Sequence, residues 1–132
     1  AWPRKVWLAF YDREHGDHEW VRGKGGDASV VHVNRTQALD EMFDLFHQGK
    51  AELPSNARRL GGRVQHGIGE YYREMMALKR TLEENAQGNW VSRYVTERKA
   101  DHYAHAEVYC MLAAKADSHS GGRILRPRRV RF

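Results

Sequence analysis

Asp101 is the residue best placed to do chemistry in this sequence. It follows a strand-like segment and begins an alanine-rich segment that predicts a helix over 99–114. The positive end of a helix dipole keeps such a carboxylate ionised, and ionised oxygen ligands suit Mg²⁺ or Mn²⁺. His105 lies one helical turn later on the same face and is a second candidate ligand. The alternative interpretation is that Asp101 only caps the helix.

The histidines suggest a second kind of metal site. His15 and His18 lie in an early loop, His102 and His105 lie in the last helix, and both pairs are spaced i, i+3. A zinc site brings several nitrogen or sulfur ligands together, so the loop would have to reach the helix. The one cysteine, Cys110, lies in an apolar stretch and is interpreted as a small core residue.

Several other chemistries are not supported by the sequence. The glycine-rich stretch 22–27 has the spacing of neither a P-loop nor a dinucleotide fingerprint, and no serine lies in a nucleophile elbow. The sequence therefore shows no ATPase machinery. No apolar run approaches the roughly 18 residues of a membrane span, so we expect no membrane partner.

The positive charge of the chain is concentrated at its end. The 132 residues carry 22 Lys and Arg against 17 Asp and Glu, a net charge of +5. Residues 118–132 contain five arginines and no acid, so residues 1–117 are balanced. An arginine-rich tail is suited to phosphate or another polyanion, although it could equally serve solubility or contact an acidic neighbour. The basic residues that could contact the phosphates of a nucleic acid such as DNA are Arg58, Arg59, Arg63, Arg98, Lys99, Arg126, Arg128 and Arg129.

The elements that must position these residues alternate between strands and helices. Apolar and β-branched runs predict strands at 5–11, 29–33 and 90–95, with at most a short strand at 51–54. Apolar stripes predict helices at 34–49, 68–84 and 99–114. Asn34 and Gln37 form a capping-box pattern at the first of them, and the polar stretch 12–27 predicts a loop or hairpin tip. This succession predicts an α/β fold with a helix-covered sheet.

Two pieces of the sequence, in this order, resemble a known family. The first is the strand-to-helix junction Val31-His32-Val33-Asn34-Arg35-Thr36 that leads into Leu39-Asp40, and the second is Asp101-His102-Tyr103-Ala104-His105-Ala106-Glu107-Val108-Tyr109. Together they resemble the C-terminal nuclease domain of the large terminase subunit of tailed phages, which cuts and packages viral DNA. The resemblance covers residues 1–116.

The resemblance implies a ribonuclease H-like fold, a mixed sheet flanked by helices. It also implies an acidic cluster that holds two Mg²⁺ or Mn²⁺ ions about 4 Å apart, which activate water and stabilise the leaving oxygen in phosphodiester hydrolysis. Asp101 matches the last acid of that cluster and is the expected catalytic metal ligand, with His105 beside it as a ligand or phosphate contact. The implied partners are double-stranded viral DNA, the terminase ATPase domain, the small terminase subunit and the portal, in the host cytoplasm.

The sequence departs from the family at the other acids. The family carries its first two acids on strands, whereas Asp12 and Asp17 are the nearest substitutes here. We therefore expect residues 1–117 to be the C-terminal part of a nuclease domain and residues 118–132 to be a basic tail. Alone, the chain should bind DNA weakly and cut it poorly or not at all. The alternatives are a non-catalytic nucleic-acid or motor-docking module and, third, a small zinc-stabilised domain.

Overall fold

The computed structural model of the protein describes residues 6–97 and 99–119, with side chains as far as residue 116. This part contains a three-stranded sheet, a separate β-hairpin and three α-helices, which confirms the predicted α/β class. The predicted boundary between 117 and 118 falls at the end of this range, and residues 120–132 of the predicted tail lie outside it. Among the described helices, none has both the length and the apolar composition needed to cross a membrane.

The larger sheet is mixed. It consists of β1 (Trp7–Arg13), β2 (Glu19–Val21) and β3 (Ser29–Asn34) in the order β1-β3-β2. β1 runs parallel to β3, and β2 runs antiparallel to it. β2 lies within the stretch 12–27 that the sequence predicts to be a loop or hairpin tip, and it corrects that prediction. Trp20 in this strand lies opposite Val31 and contacts Trp7 edge-on. The short strand considered at 51–54 does not form.

The first helix, α1 (Arg35–His47), begins as the sequence predicts. The Asn34 side chain accepts a hydrogen bond from the Gln37 backbone N–H, which offsets one of the unpaired donors of the first turn. The reciprocal half of a capping box is replaced, since the Asn34 backbone N–H donates to His18 and not to Gln37. Gly49, in a left-handed conformation with φ of 67°, follows the helix end.

The predicted helix at 68–84 is wrong in its second half. The structure has a short helix α2 (Glu70–Ala77), after which Leu78 is extended and strand β4 (Lys79–Glu84) begins. β4 pairs antiparallel with β5 (Trp90–Val95). Met76 and Leu82, which the sequence pattern assigned to one apolar stripe, are 64% and 61% exposed. The turn-forming residues 85–89 therefore join two strands and do not end a helix.

The last helix, α3 (His102–His119), lies with α1 against one face of the larger sheet. The core between these layers is centred on side chains that are almost completely buried, namely Val31, Val33, Leu39, Met42 and Val108. The opposite sheet face leaves Leu8 and Phe10 about half exposed. Cys110 is exposed, not buried as the apolar stretch around it predicted, because it lies on the outer side of α3.

Candidate functional site

Asp101 and His105 lie together at the start of α3, as the helical spacing predicts. Asp101 immediately precedes the helix, and His105 lies one turn into it. The His105 Nε2–H donates to Asp101 Oδ2 over 2.8 Å, and both side chains are about four-fifths buried. The structure therefore confirms that the two residues share a face.

Tyr11 completes a hydrogen-bonded chain that sequence reasoning missed. Its hydroxyl lies 2.8 Å from His105 Nδ1. A carboxylate only accepts, so Nε2 carries the proton towards Asp101, and Nδ1 of the neutral ring accepts from Tyr11. The Tyr11 ring also stacks on Tyr109, with centroids 5.9 Å apart. Burial raises the pKa of Tyr11 above its ordinary value, Tyr109 and Asp101 add to the rise, and Arg35 opposes it.

Arg35 joins the two pieces of sequence that carry the family resemblance. It is the first residue of α1, and its guanidinium lies 3.7 Å from Asp101 Oδ2. The same guanidinium donates to the Tyr94 carbonyl over 3.1 Å. The strand-to-helix junction and the start of α3 are far apart in the chain, yet they meet at this contact.

The first backbone N–H of α3 is not capped by Asp101 but by a residue of α2. Glu74 accepts a 2.8 Å hydrogen bond from the His102 N–H. The Asp101 carboxylate accepts a hydrogen bond from the His105 side chain. The side chain that caps this first donor is therefore Glu74, and Asp101 faces His105 and Arg35.

Asp101 and His105 do not form a complete metal centre by themselves. Within residues 6–97 and 99–119, no third His, Cys, Asp or Glu side chain joins them in a ligand group. Asp12 pairs instead with His32 at 2.5 Å, and Asp17 accepts from Gln37 at 3.2 Å. One carboxylate and one imidazole do not provide the oxygen ligands that two Mg²⁺ ions require.

The four histidines considered for zinc do not converge in the described part of the chain. His18 is almost fully buried and bonds to Glu41 at 3.4 Å. His105 bonds to Tyr11 and Asp101, whereas His102 is exposed. His15 lines the cleft described next.

A polar cleft of about 970 Å³ opens beside Arg35 and Tyr11. Its walls are residues 11–16 at the end of β1 and in the loop that follows, residues 34–37 and Asp40 at the junction of β3 and α1, and residues 85, 87, 89 and 91–93 of the hairpin. The carboxyl ends of the parallel strands β1 and β3 form its floor, which is where open α/β sheets bind ligands. Asp101 therefore lies behind a ligand-sized cleft, with Arg35 between them.

Of the arginines predicted to contact DNA, the three that the structure describes do not line this cleft. Arg58 and Arg59 belong to a short 3-10 helix (Ala57–Arg59), and Arg58 lies 5.9 Å from the centre of the Tyr72 ring. The Arg63 carbonyl accepts from Arg73. Lys99 is exposed two residues before Asp101. Arg98, Arg126, Arg128 and Arg129 lie outside the described residues.

Comparison with known proteins identifies no relative of this chain. No protein-family model, curated protein or solved structure matches this chain.

Proposed function

We propose that this chain is part of the metal-dependent DNA endonuclease of a viral genome-packaging terminase, with a ribonuclease H-like fold, and that it acts in the hydrolysis of phosphodiester bonds of concatemeric DNA. The contact between Arg35 and Asp101 is the observation that supports this proposal best. It joins the second of the resemblance-bearing pieces to Arg35 of the first, which lines the polar cleft.

The proposal gives each residue a role that its surroundings suit. Asp101 is a ligand for Mg²⁺ or Mn²⁺ in the complete nuclease, His105 fixes the orientation of its carboxylate, and Arg35 attracts the scissile phosphate. The remaining carboxylates of such a site must come from outside the described residues, because none there joins Asp101. The isolated chain is therefore expected to cleave DNA poorly or not at all.

The proposed partners follow from the same resemblance. They are double-stranded viral DNA, the ATPase domain of the terminase, the small terminase subunit and the portal. The site of action is the host cytoplasm during infection.

A second candidate function is a non-catalytic nucleic-acid or motor-docking module. The observation in its favour is that Asp101 already has partners, since His105 donates to it and Arg35 lies 3.7 Å away. Under this function the Asp101 carboxylate holds the start of α3 against α1 and binds no metal.

Titration with Mn²⁺ separates the two functions. We expect saturable, paramagnetic broadening of the NMR signals of His105 and its neighbours, and loss of this effect in Asp101→Ala. Asp27→Ala is the matched control, because Asp27 is an exposed carboxylate in the turn before β3. Equal binding by the native chain and by Asp101→Ala would favour the docking module.

A further inference from the structure

The arginines that the structure describes fall into two groups. Four are paired with acids over 2.6–3.8 Å, namely Arg13, Arg35, Arg80 and Arg93. Within residues 6–97 and 99–119 the others make no ion pair, and all but Arg22 belong to one short segment, namely Arg58, Arg59, Arg63 and Arg73. Residues 53–73 contain a single acid, Glu70. This segment therefore carries an excess of positive charge.

Contacts place several of these residues next to one another on the outer side of α2. The Arg58 guanidinium lies 5.9 Å from the centre of the Tyr72 ring, and Arg73 follows Tyr72 in the helix. Arg73 donates over 2.8 Å to the carbonyl of Arg63, which is exposed. The buried side of the helix is formed by Tyr71 and other residues. We call Arg58, Arg63, Tyr72 and Arg73 together the α2 basic surface.

Backbone hydrogen bonds hold this surface in place. The Gly69 N–H donates to the Arg58 carbonyl over 2.7 Å, and the Tyr71 N–H donates to the Leu60 carbonyl over 3.1 Å. The two segments approach so closely that a Cβ at position 69 would lie 2.0 Å from the Leu60 carbonyl oxygen. Only glycine fits there. Arg58 is thus carried on a backbone that needs little ordering when a ligand binds.

Arg63 is carried on a tight turn. Gln65 and Ile68 exchange two backbone hydrogen bonds of 2.9 Å. His66 and Gly67 between them have φ of 51° and 76°, as a two-residue turn of this hand requires. Residues 62–67 are all exposed. The turn therefore presents Arg63 to solvent on a defined backbone.

The α2 basic surface adjoins the start of α3. Glu74, the residue after Arg73, accepts the hydrogen bond from the His102 N–H. His102 follows Asp101, and exposed Lys99 lies two residues before Asp101. The surface thus reaches the neighbourhood of Asp101 from the side of α2, whereas the polar cleft reaches it from the side of Arg35.

We propose that the α2 basic surface binds the phosphodiester backbone of double-stranded DNA, with phosphates contacted by Arg58, Arg63 and Arg73. That the polyanion is DNA rests on the proposed function. A guanidinium presents its N–H donors in a planar fork that matches a phosphate, and these three have no ion pair to give up. Phosphate contacts carry no sequence information, so binding at this surface should not depend on the base sequence.

The salt dependence of duplex binding tests the surface, measured by the fluorescence anisotropy of a short labelled duplex. Arg58→Gln and Arg63→Gln should each reduce the slope of log affinity against log salt by about 0.9, the value for one phosphate of B-DNA. Arg58→Lys keeps the charge and should restore most of the slope. Residues 118–132 are present in every variant, so their contribution cancels.

Arg22→Gln is the matched control. Arg22 is exposed and, like Arg58, makes no ion pair in the described part of the chain, but it follows β2 and lies outside the α2 basic surface. Its loss should leave the slope close to the native value.

The proposal is overturned if the folded native chain does not bind the duplex, or if Arg58→Gln and Arg63→Gln keep the native slope. It is also overturned if Arg22→Gln lowers the slope as much as they do, or if polyglutamate displaces the duplex at equal charge concentration. Equal Mn²⁺ binding by the native chain and by Asp101→Ala counts against the nuclease function but leaves these slopes unchanged, so the two failures are distinguishable.

Discussion

At the scale of single residues, Tyr11 determines which ring nitrogen of His105 carries the proton. Its hydroxyl donates to Nδ1, and Nε2 then donates to Asp101. The Asp101 carboxylate is thus oriented by a residue from β1, on the other side of the helix–sheet interface. A residue that acts on Asp101 only through His105 is a positioning residue.

Tyr11→Phe tests this arrangement. The phenyl ring keeps the stacking on Tyr109 but leaves His105 Nδ1 without its donor. We expect a loss of about 1–2 kcal/mol in the free energy of unfolding, measured by urea denaturation. The ¹⁵N shifts of the His105 ring should also move towards a mixture of tautomers. Tyr72→Phe is the control, and a variant with native ¹⁵N shifts would contradict the role given to Tyr11.

Of the hydrogen-bonded residues Tyr11, His105 and Asp101, the sequence predicts the last two as a pair but not Tyr11. Asp101 and His105 are local neighbours on a helix, and a four-residue spacing is enough to place them together. Tyr11 is separated from His105 by 94 residues. Within β1 it shares with Trp7 the face that packs on the core, whereas Phe10 lies on the opposite face. Strand alternation gives that face, but it does not give the helix residue opposite.

At the scale of elements, Asn34 links three segments. Its side-chain oxygen caps α1, its side-chain NH₂ donates to the Gly16 carbonyl over 2.9 Å, and its backbone N–H donates to His18. Asn34 is buried, and these bonds satisfy its polar groups. The loop after β1 is therefore held against the start of α1, where both line the cleft.

Asn34→Ala and Asn34→Asp separate these contributions. Alanine removes both side-chain bonds, so we expect a loss of about 2 kcal/mol, the upper end for an N-cap. Aspartate keeps the cap but cannot donate to Gly16, so its loss should be smaller. Thermal or urea unfolding measures both variants. An aspartate variant as unstable as the alanine variant would show that the Gly16 bond, and not the cap, provides the stability.

The hairpin shows where element prediction from the sequence fails. Tyr71, Met75, Met76 and Leu82 recur at helical spacing and favour one long helix. Met75 is buried, but Leu82 is exposed. The chain is drawn into a strand by pairing with β5 and by the bond from Arg80 to Asp40 of α1. Both interactions are non-local, and no window of sequence around β4 contains them.

At the scale of the whole molecule, α1 is the element to which the other parts attach. Asp40 on one side of it binds Arg80 and Tyr94 of the hairpin. Glu41, the residue after Asp40, binds Lys115 of α3 and His18 of the loop after β1. Two adjacent carboxylates thus connect one helix to the hairpin, to α3 and to the loop that lines the cleft.

These two carboxylates should make the fold sensitive to acid. Burial alone raises the pKa of Asp40, but the hydrogen bonds from Arg80 and Tyr94 outweigh it and lower the pKa. Burial likewise raises the pKa of Glu41, but the hydrogen bonds from Lys115 and Gln37 outweigh this effect and lower the pKa. A carboxylate with a lowered pKa in the folded state stabilises the protein above its unfolded pKa of about 4 and loses this contribution as the pH falls through the folded value.

We therefore expect the free energy of unfolding to fall as the pH decreases below about 4. Asp40→Asn and Glu41→Gln should each make this fall shallower, because each removes one group that takes up a proton on unfolding. Asp44→Asn, an exposed position on the same helix, controls for the loss of one negative charge. Urea denaturation between neutral pH and about pH 3 measures the slopes. If Asp40→Asn retains the native slope and Glu41→Gln does not, the attachment of α1 to α3 and the loop, and not to the hairpin, governs the acid sensitivity of the molecule.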